Sequence, residues 1–289
     1  WNFPLAMVTR KVAAAIAAGC SVILKPSELT PLTALKFGEF AIESGIPNGV
    51  FNIINGDAQL IGKLLTESSI VKKITFTGST KVGKLLMKNS SSTVKNISLE
   101  LGGNAPFIVF DDANLDEALE GFIAAKFRNA GQTCISANRL FVNEKVFEKF
   151  QSMLVNRFKK LRVGNGLDDV DVGPLISNEA LKKVESHIKD AVKKGAKLVF
   201  GGKRSKAGEL FFEPTLVGNI NKQMQIFKKE NFGPIIPLIK FKSEKDLIEL
   251  VNDTEYGLAA YFYTNKTSRI WEIVENLEYG MFGVNSGKI

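Results

Sequence analysis

The sequence has few of the residues on which metal sites and disulfide scaffolds depend. Its 289 residues include one histidine, His187, and two cysteines, Cys20 and Cys134, which lie far apart. A zinc site needs more histidine or cysteine ligands than these, and a Ser-His-Asp triad would depend on His187 alone. A disulfide framework needs several paired cysteines. We therefore expect no metal, a reducing compartment and a cytoplasmic location.

Long apolar runs and arginine are also scarce. A membrane helix needs about 18 or more apolar residues, and the longest candidate, residues 12–24, is shorter and contains Ser21. Only 7 of the 38 basic residues are arginine, and the lysines are spread along the whole chain. Charge dispersed in this way is typical of a solvated surface, even at a net charge of +8. We expect neither a membrane nor a nucleic acid as partner.

Helical and strand periods alternate along the chain. The pattern predicts helices over residues 5–18, 30–44, 114–130, 144–161 and 178–194, and one that starts after residue 79. It predicts strands over residues 21–25, 50–54, 71–76, 96–101, 105–110, 139–142, 198–200, 235–241, 259–264 and 281–285. This alternation indicates an α/β fold with a largely parallel sheet. Gly102 and Gly103 interrupt two apolar runs, so a domain boundary is expected near residues 101–104.

Cys134 is the best candidate for a nucleophile. It follows a predicted helix and a turn at Gly131, and a cysteine is a strong nucleophile once its proton is removed. Cys20 ends an Ala- and Gly-rich apolar run, so we expect it to be buried. His187 lies in a lysine-rich helix and is expected to be exposed. The general base would then be a carboxylate, and Glu100 ends a strand before two glycines. A buried structural thiol and a solvated carboxylate are the alternatives.

Residues 77–84 follow a strand and open a helix, the arrangement in which backbone N–H groups and the helix dipole bind phosphate. Gly78 and Ser79 form the turn. The segment also reads Gly-x-x-x-x-Gly-Lys, as a P-loop does, but Leu85 replaces the hydroxyl that would hold magnesium. Hydrolysis of a nucleoside triphosphate is therefore the less favoured interpretation.

Residues 25–28 follow another predicted strand, where α/β proteins hold the adenosine ribose. Lys25 and Glu28 can both hydrogen-bond ribose hydroxyls. The sequence Pro-Ser-Glu is also an ordinary turn, which is the alternative interpretation. These residues become informative only together with the other segments.

Six segments, in this order, give the sequence its resemblance to the aldehyde dehydrogenase superfamily: residues 1–4, 25–28, 76–79, 99–103, 131–134 and 231–234. The resemblance covers the whole chain. Within the superfamily, residues 104–112, 126–134 and 252–261 are most similar to succinate-semialdehyde dehydrogenases. The resemblance implies the aldehyde dehydrogenase fold, with residues 1–101 as the later part of a Rossmann-like NAD(P)-binding domain and residues 102–289 as the catalytic domain.

The resemblance also implies roles for individual residues. Cys134 would attack the aldehyde, the Asn2 amide and the Cys134 backbone N–H would hold the oxyanion, and Glu100 would activate the hydrolytic water. Arg10 and Arg128 match two arginines that hold the distal carboxylate of succinate semialdehyde, and solvated helix arginines are the alternative. The residues implied in cofactor binding are Lys25, Ser27, Glu28, Gly78, Ser79, Glu230 and Phe232.

The implied cofactor is NAD or NADP, with NAD favoured because the Glu28 carboxylate would repel a 2′-phosphate. The implied partners are a small aldehyde and, in the full-length protein, further copies of the same chain. Relative to the family, an upstream section is missing, and so is a tail after Ile289 that carries another substrate contact and an oligomerisation strand. Ser136 replaces a redox cysteine of some members, and Lys229 stands where an acid is common. A truncated, non-catalytic fragment that acts as a binding or structural module is the alternative.

Overall fold

The structure is a computed structural model that describes residues 1–289, and it divides into two compact units. The first unit spans Trp1–Leu101 and the second spans Gly102–Ile289. Each unit has apolar core residues of its own. None of the helices combines the length and the apolar character that crossing a membrane requires.

The first unit alternates helices with short strands. Its elements are α1 (Pro4–Ala17), β1 (Val22–Leu24), α2 (Pro31–Glu43), β2 (Phe51–Ile53), α3 (Ala58–Glu67), β3 (Lys73–Thr77), α4 (Thr80–Ser90) and β4 (Asn96–Glu100). β1 pairs with β2 and β3 with β4, both parallel, which gives two two-stranded sheets. Asp57 and Ser79 each start a helix, because their side chains accept a backbone N–H of the first turn of α3 and α4.

The second unit is built on one seven-stranded sheet. Its strands are β5 (Pro106–Val109), β6 (Arg139–Asn143), β7 (Lys197–Phe200), β8 (Thr215–Gly218), β9 (Ile235–Phe241), β10 (Ala259–Tyr263) and β11 (Met281–Val284). Its helices are α5 (Leu115–Phe127), α6 (Phe147–Phe158), α7 (Asn178–Lys193), α8 (Gln225–Lys228), α9 (Glu244–Asn252) and α10 (Thr267–Asn276). The strand order is β11-β10-β5-β6-β9-β8-β7, and only β7 runs antiparallel to its neighbour. The predicted α/β fold with a largely parallel sheet is confirmed.

The central strands β5 and β6 are buried on both faces, as parallel strands covered by helices are. Successive side chains of β5 point to opposite faces, so Phe107 packs on Phe122 of α5 while Ile108 joins Phe262 on the other side. Full burial of each such side chain contributes about 1.5–3 kcal/mol. The resulting core holds the amino ends of β5, β6 and β9 side by side.

Several predicted elements have different ends in the structure. The helix predicted over residues 114–130 ends at Phe127, since Asn129 and Ala130 adopt left-handed conformations. The helix predicted over residues 144–161 begins only at Phe147. Five elements were not predicted at all, namely α3, β8, α8, α9 and α10.

Two predictions of burial were wrong. Cys20 is exposed, because α1 has already ended and Gly19, at a φ of 76°, has turned the chain out of the helix. His187 is only 2% exposed, because it lies on the same face of α7 as the buried side chains of Leu181 and Val184. The lysines beside His187 therefore mark the opposite, solvated face of an amphipathic helix.

Candidate active site

Cys134 follows a tight turn that leads from α5 to β6. Asn129, Ala130 and Gly131 have φ angles of 50°, 55° and 79°, so three successive residues are left-handed. Each such non-glycine residue costs about 1–2 kcal/mol, and such strain persists only where the surroundings impose it. Cys134 forms no disulfide and is half-buried. The turn thus places a partly accessible thiol next to a tightly packed backbone.

Three segments meet around this turn, because each runs into the amino end of one of the adjacent parallel strands β5, β6 and β9. A side chain at Gly103 would overlap the Cys134 carbonyl oxygen, and one at Gly131 would overlap the backbone of Gly233. Residues 102–103, 131–134 and 230–233 therefore approach one another at backbone distance. This arrangement lies at the amino ends of these strands, whereas Glu100 lies at the carboxyl end of β4 in the first unit.

Glu230 is the ionisable side chain of the third segment. Its Oε1 accepts a hydrogen bond of 2.9 Å from the Gly103 backbone N–H. Burial raises the pKa of Glu230 above its usual range, while the Gly103 N–H and the charge of Lys183 act in the opposite direction. Burial likewise lowers the pKa of Lys183. Phe232, two residues after Glu230, is half-buried and has a φ of 52°, so this segment is strained as well.

A cavity of about 340 Å³ lies beside the nucleophile segment. It is lined by Ala124, Ala125, Arg128, Thr133, Ile135, Tyr261, Gly287, Lys288 and Ile289. The Tyr261 hydroxyl donates to the Ile135 carbonyl oxygen at 2.8 Å. Burial raises the pKa of Tyr261, negative charge on Cys134 raises it further, and Arg128 lowers it. The lining of the cavity therefore includes two cationic residues, Arg128 and Lys288, together with the two neighbours of Cys134 in the sequence.

In the first unit, Gly78 and Ser79 join β3 to α4. The Gly78 N–H donates to the Glu100 carbonyl oxygen at 3.0 Å, and a side chain at Gly78 would overlap the Phe76 ring. The first turn of the 11-residue helix α4 contains no acidic residue and is followed by lysines. A positive helix terminus at a strand–turn–helix junction fits a phosphate group.

Lys25 and Glu28 form an ion pair just after β1. The Lys25 ammonium donates to Glu28 Oε1 and to the Pro26 carbonyl oxygen, both at 2.7 Å. The hydrogen bond from Lys25 lowers the pKa of Glu28, so the exposed carboxylate is ionised near neutral pH. Ser27 stabilises the turn by accepting the Leu29 N–H. A carboxylate acceptor and an ammonium donor at a strand end fit the hydroxyls of a ribose.

The remaining predicted residues of the first unit are Asn2, Arg10 and Glu100. Asn2 is half-buried immediately before α1, Arg10 is exposed on α1, and Glu100 is the exposed last residue of β4. Lys11 was not predicted. Its ammonium donates to Thr77 Oγ1 at 2.5 Å, and burial lowers its pKa while Glu100 acts in the opposite direction.

The sequence did not predict two lysines that lie beside candidate site residues. Lys11 interacts with Glu100, and Lys288 lines the same cavity as Arg128. Lysine is so common in this chain that neither position differs visibly from a surface lysine. Spacing offered one signal, because Lys11 directly follows the predicted Arg10. Lys288 has no such signal.

The chain belongs to the aldehyde dehydrogenase family. The model of that family, described as "Aldehyde dehydrogenase family", matches residues 1–289. The succinate-semialdehyde dehydrogenase of rice mitochondria is 55% identical over this whole chain, which covers 55% of that protein. The NADP(+)-named succinate-semialdehyde dehydrogenase of Escherichia coli is 52% identical, with 60% of its length covered. The chain thus spans little more than half the length of these relatives.

A solved structure of succinate-semialdehyde dehydrogenase from Burkholderia pseudomallei is similar to this chain, with a TM-score of 0.98 and 53% identity. The match covers the whole chain and 60% of the solved one. Relatives at comparable identity carry other names, among them a 3-sulfolactaldehyde dehydrogenase of Pseudomonas putida, 52% identical with 60% of its length covered. The resemblance and the fold predicted from it are confirmed, whereas the names of the relatives differ in substrate.

Proposed function

We propose that the complete protein oxidises a small anionic aldehyde, succinate semialdehyde in the first place, with NAD or NADP. The observation that carries the proposal is the position of Cys134, on a strained turn beside a cavity lined by Arg128 and Lys288. In this proposal the first unit is the later part of the cofactor-binding domain, and the second is the catalytic domain.

The proposed reaction begins when Cys134 Sγ attacks the carbonyl carbon. The Cys134 backbone N–H and the Asn2 amide donate to the oxyanion that forms. A bound nicotinamide supplies the acceptor for the hydride that leaves this carbon. Loss of the hydride leaves a thioester on Cys134, and Glu100 takes a proton from the water that hydrolyses it. The products are a carboxylate, the reduced cofactor and the free thiol.

The proposed cofactor contacts are made by hydrogen-bonding groups in each of the two units. Lys25 and Glu28 would hold the adenosine ribose, and the start of α4 at Gly78 and Ser79 would hold the pyrophosphate. Ser27 shapes the ribose turn. In the second unit Glu230 would accept hydroxyls of the nicotinamide ribose, with Phe232 packing nearby. The ionised Glu28 supports NAD, although the relative from Escherichia coli is named for NADP(+).

The proposed substrate class follows from the positive wall of the cavity. Succinate semialdehyde, glutarate semialdehyde and 3-sulfolactaldehyde all carry an anion at the end away from the aldehyde, and relatives of this chain are named for each. Arg128 would hold that anion, with Lys288 adding positive charge and Arg10 of the first unit completing the contact. A planar guanidinium matches a carboxylate in two hydrogen bonds.

The test is to measure formation of NADH and NADPH by the complete protein with succinate semialdehyde, glutarate semialdehyde and butanal. We expect kcat/KM for the acid aldehydes to exceed that for butanal by at least about 10-fold, since each charge-assisted contact is worth about 1.5–3 kcal/mol. Cys134→Ala should abolish turnover, and Cys20→Ala, the matched thiol control, should not. Equal rates with all three aldehydes would contradict the substrate class, and turnover by Cys134→Ala would contradict the nucleophile.

The location and assembly of the protein also remain predictions. Two cysteines without a disulfide are compatible with a reducing compartment such as the cytoplasm, and the complete protein is expected to form homo-oligomers. Light scattering of the purified complete protein measures its assembly directly.

A further inference from the structure

His187 contacts the segment that carries Glu230. Its Nδ1 lies 2.8 Å from Asn231 Oδ1, and the histidine is 2% exposed. The Asn231 amide nitrogen donates to the carbonyl oxygens of Asn138 and Ile226, which fixes the orientation of the amide. Oδ1 therefore faces the ring, and because an amide oxygen only accepts, Nδ1 carries the hydrogen.

Asn138 holds the main chain on both sides of Glu230. Its amide nitrogen donates to the Lys229 carbonyl oxygen at 3.1 Å, and its amide oxygen accepts the Asn231 N–H at 2.9 Å. The orientation of this amide is fixed in turn, because the nitrogen also donates to Asn104 Oδ1. All three asparagines are buried. The Asn138 amide therefore holds the main chain beside Glu230, and the Asn231 side chain, through His187 and the carbonyl oxygens of Asn138 and Ile226, adds a second set of contacts to the same segment.

The helix α7 meets the same segment at two further positions. Val184 lies so close to Gly233 that a side chain there would contact it at 2.6 Å. Lys183 is near enough to Glu230 for each charge to affect the pKa of the other. Residues 230–233, which we call the carboxylate segment, therefore rest on one face of α7. Its strained residue Phe232, with a φ of 52°, needs such support.

We propose that His187 is a positioning residue for cofactor binding: the hydrogen bond from Nδ1 to Asn231 fixes the carboxylate segment and with it the orientation of Glu230. This inference rests on the proposed function, in which Glu230 contacts the nicotinamide ribose. The strength of a hydrogen bond between a hydroxyl and a carboxylate depends steeply on the distance between them. A shift of the carboxylate segment by less than an ångström would therefore weaken the contact between Glu230 and the ribose. No residue of α7 or of the carboxylate segment lines the cavity beside Cys134, so the effect is expected on cofactor binding.

The alternative is that His187 only fills space in the core. Two variants of the complete protein separate these roles. His187→Leu removes the donor but keeps an apolar side chain, whereas His187→Asn places an amide N–H at the position of Nδ1. Leucine has roughly the volume of histidine, whereas asparagine leaves part of the ring volume empty, so a packing role predicts the larger loss for His187→Asn. A positioning role predicts that His187→Asn recovers cofactor binding.

The experiment measures the dissociation constant of NADH by fluorescence, and KM for NAD and for succinate semialdehyde. For His187→Leu we expect the NADH constant and the KM for NAD to rise about 10-fold, with KM for the aldehyde unchanged. His187→Asn should stay within about 3-fold of the wild type. Ile188→Ala, a buried neighbour on α7, is the packing control and should also stay within about 3-fold.

Equal NADH affinity of the wild type and His187→Leu would overturn the inference, as would a loss in the Asn variant that equals or exceeds the loss in the Leu variant. Failure of the proposed function looks different, because the wild type would then form no reduced cofactor from any aldehyde. The NADH titration compares the variants without turnover. It therefore tests the role of His187 independently of the reaction.

Discussion

The ammonium group of Lys25 lies 2.7 Å from the carboxylate of Glu28. Lys25 is largely covered while Glu28 is more than half exposed, so the pair presents its acceptor to solvent. The carboxylate keeps its charge because the lysine lowers its pKa. The pair therefore presents a fixed anion at the end of β1.

Glu28→Gln should shift the cofactor preference of the complete protein towards NADP. The substitution removes the charge that repels a 2′-phosphate and leaves Lys25 without its anion, free to contact the phosphate. We expect the ratio of kcat/KM for NADP to that for NAD to rise about 10-fold, which corresponds to about 1.4 kcal/mol. Glu39→Gln, which alters another exposed Lys–Glu pair of the first unit, is the control. An unchanged ratio would contradict the role of Glu28.

Arg128→Ala should lower activity with a charged aldehyde much more than activity with a neutral one. Loss of one charge-assisted contact costs about 1.5–3 kcal/mol, so kcat/KM for succinate semialdehyde should fall about 10- to 100-fold. Butanal has no group for Arg128 to hold, and its kcat/KM should change little. Arg162→Ala serves as control, since Arg162 is exposed and pairs with Asp169. Parallel losses with both aldehydes would indicate a folding defect instead.

Glu100→Gln should separate the two halves of the reaction. The amide cannot take a proton from water, so the thioester should still form but its hydrolysis should slow by about 10²-fold or more. Rapid mixing with succinate semialdehyde and NAD should give a burst of NADH followed by a slow steady state. If burst and steady state fall together, Glu100 acts before the thioester forms.

Lys126 should make the stability of the protein depend on pH. Its ammonium is fully buried without a hydrogen-bond partner, and burial lowers its pKa to about 7. Between pH 7 and about pH 10 the unfolded chain binds a proton that the folded chain releases, so the free energy of unfolding rises with pH across this window. The penalty grows as the pH falls towards 7.

Lys126→Met should therefore stabilise the protein at pH 7 by about 1–3 kcal/mol, the usual desolvation cost of an unpaired polar group. The gain should shrink as the pH approaches 10. Urea unfolding at several pH values measures it, and Lys159→Met, at an exposed position, provides the comparison. A destabilised Lys126→Met variant would mean that the ammonium has a partner, such as a buried water.

Local sequence patterns predicted the elements that local chemistry determines. Ser79 starts α4 through its own side chain, and the strand before Gly78 alternates, so this junction was predictable. The helix end at Phe127 was not predictable, because Asn129 and Ala130 are acceptable in a helix. The turn they form packs at Gly131 against the backbone of Gly233, about a hundred residues away in the sequence, and local patterns do not reveal that contact.

His187 shows the same limit for a single side chain. Its lysine neighbours indicate a solvated helix face, and its hydrogen-bond partner Asn231 lies 44 residues away. Sequence spacing alone cannot reveal such a partner. The four-residue strand β8 (Thr215–Gly218) was also missed, because its strand conformation is evident only from its pairing with β7 and β9. Tertiary packing decides both cases.

The contact between Gly131 and Gly233 has a consequence for engineering this chain. Neither backbone has room for a β-carbon at the contact, so changes to the nucleophile turn also displace the carboxylate segment. Redesign of the cavity beside Cys134 is then best directed at lining side chains outside these glycine segments, such as Tyr261 and Lys288. Residues 25–28, proposed to contact the cofactor, belong to the other unit. If both proposals hold, different sets of substitutions should change substrate range and cofactor choice.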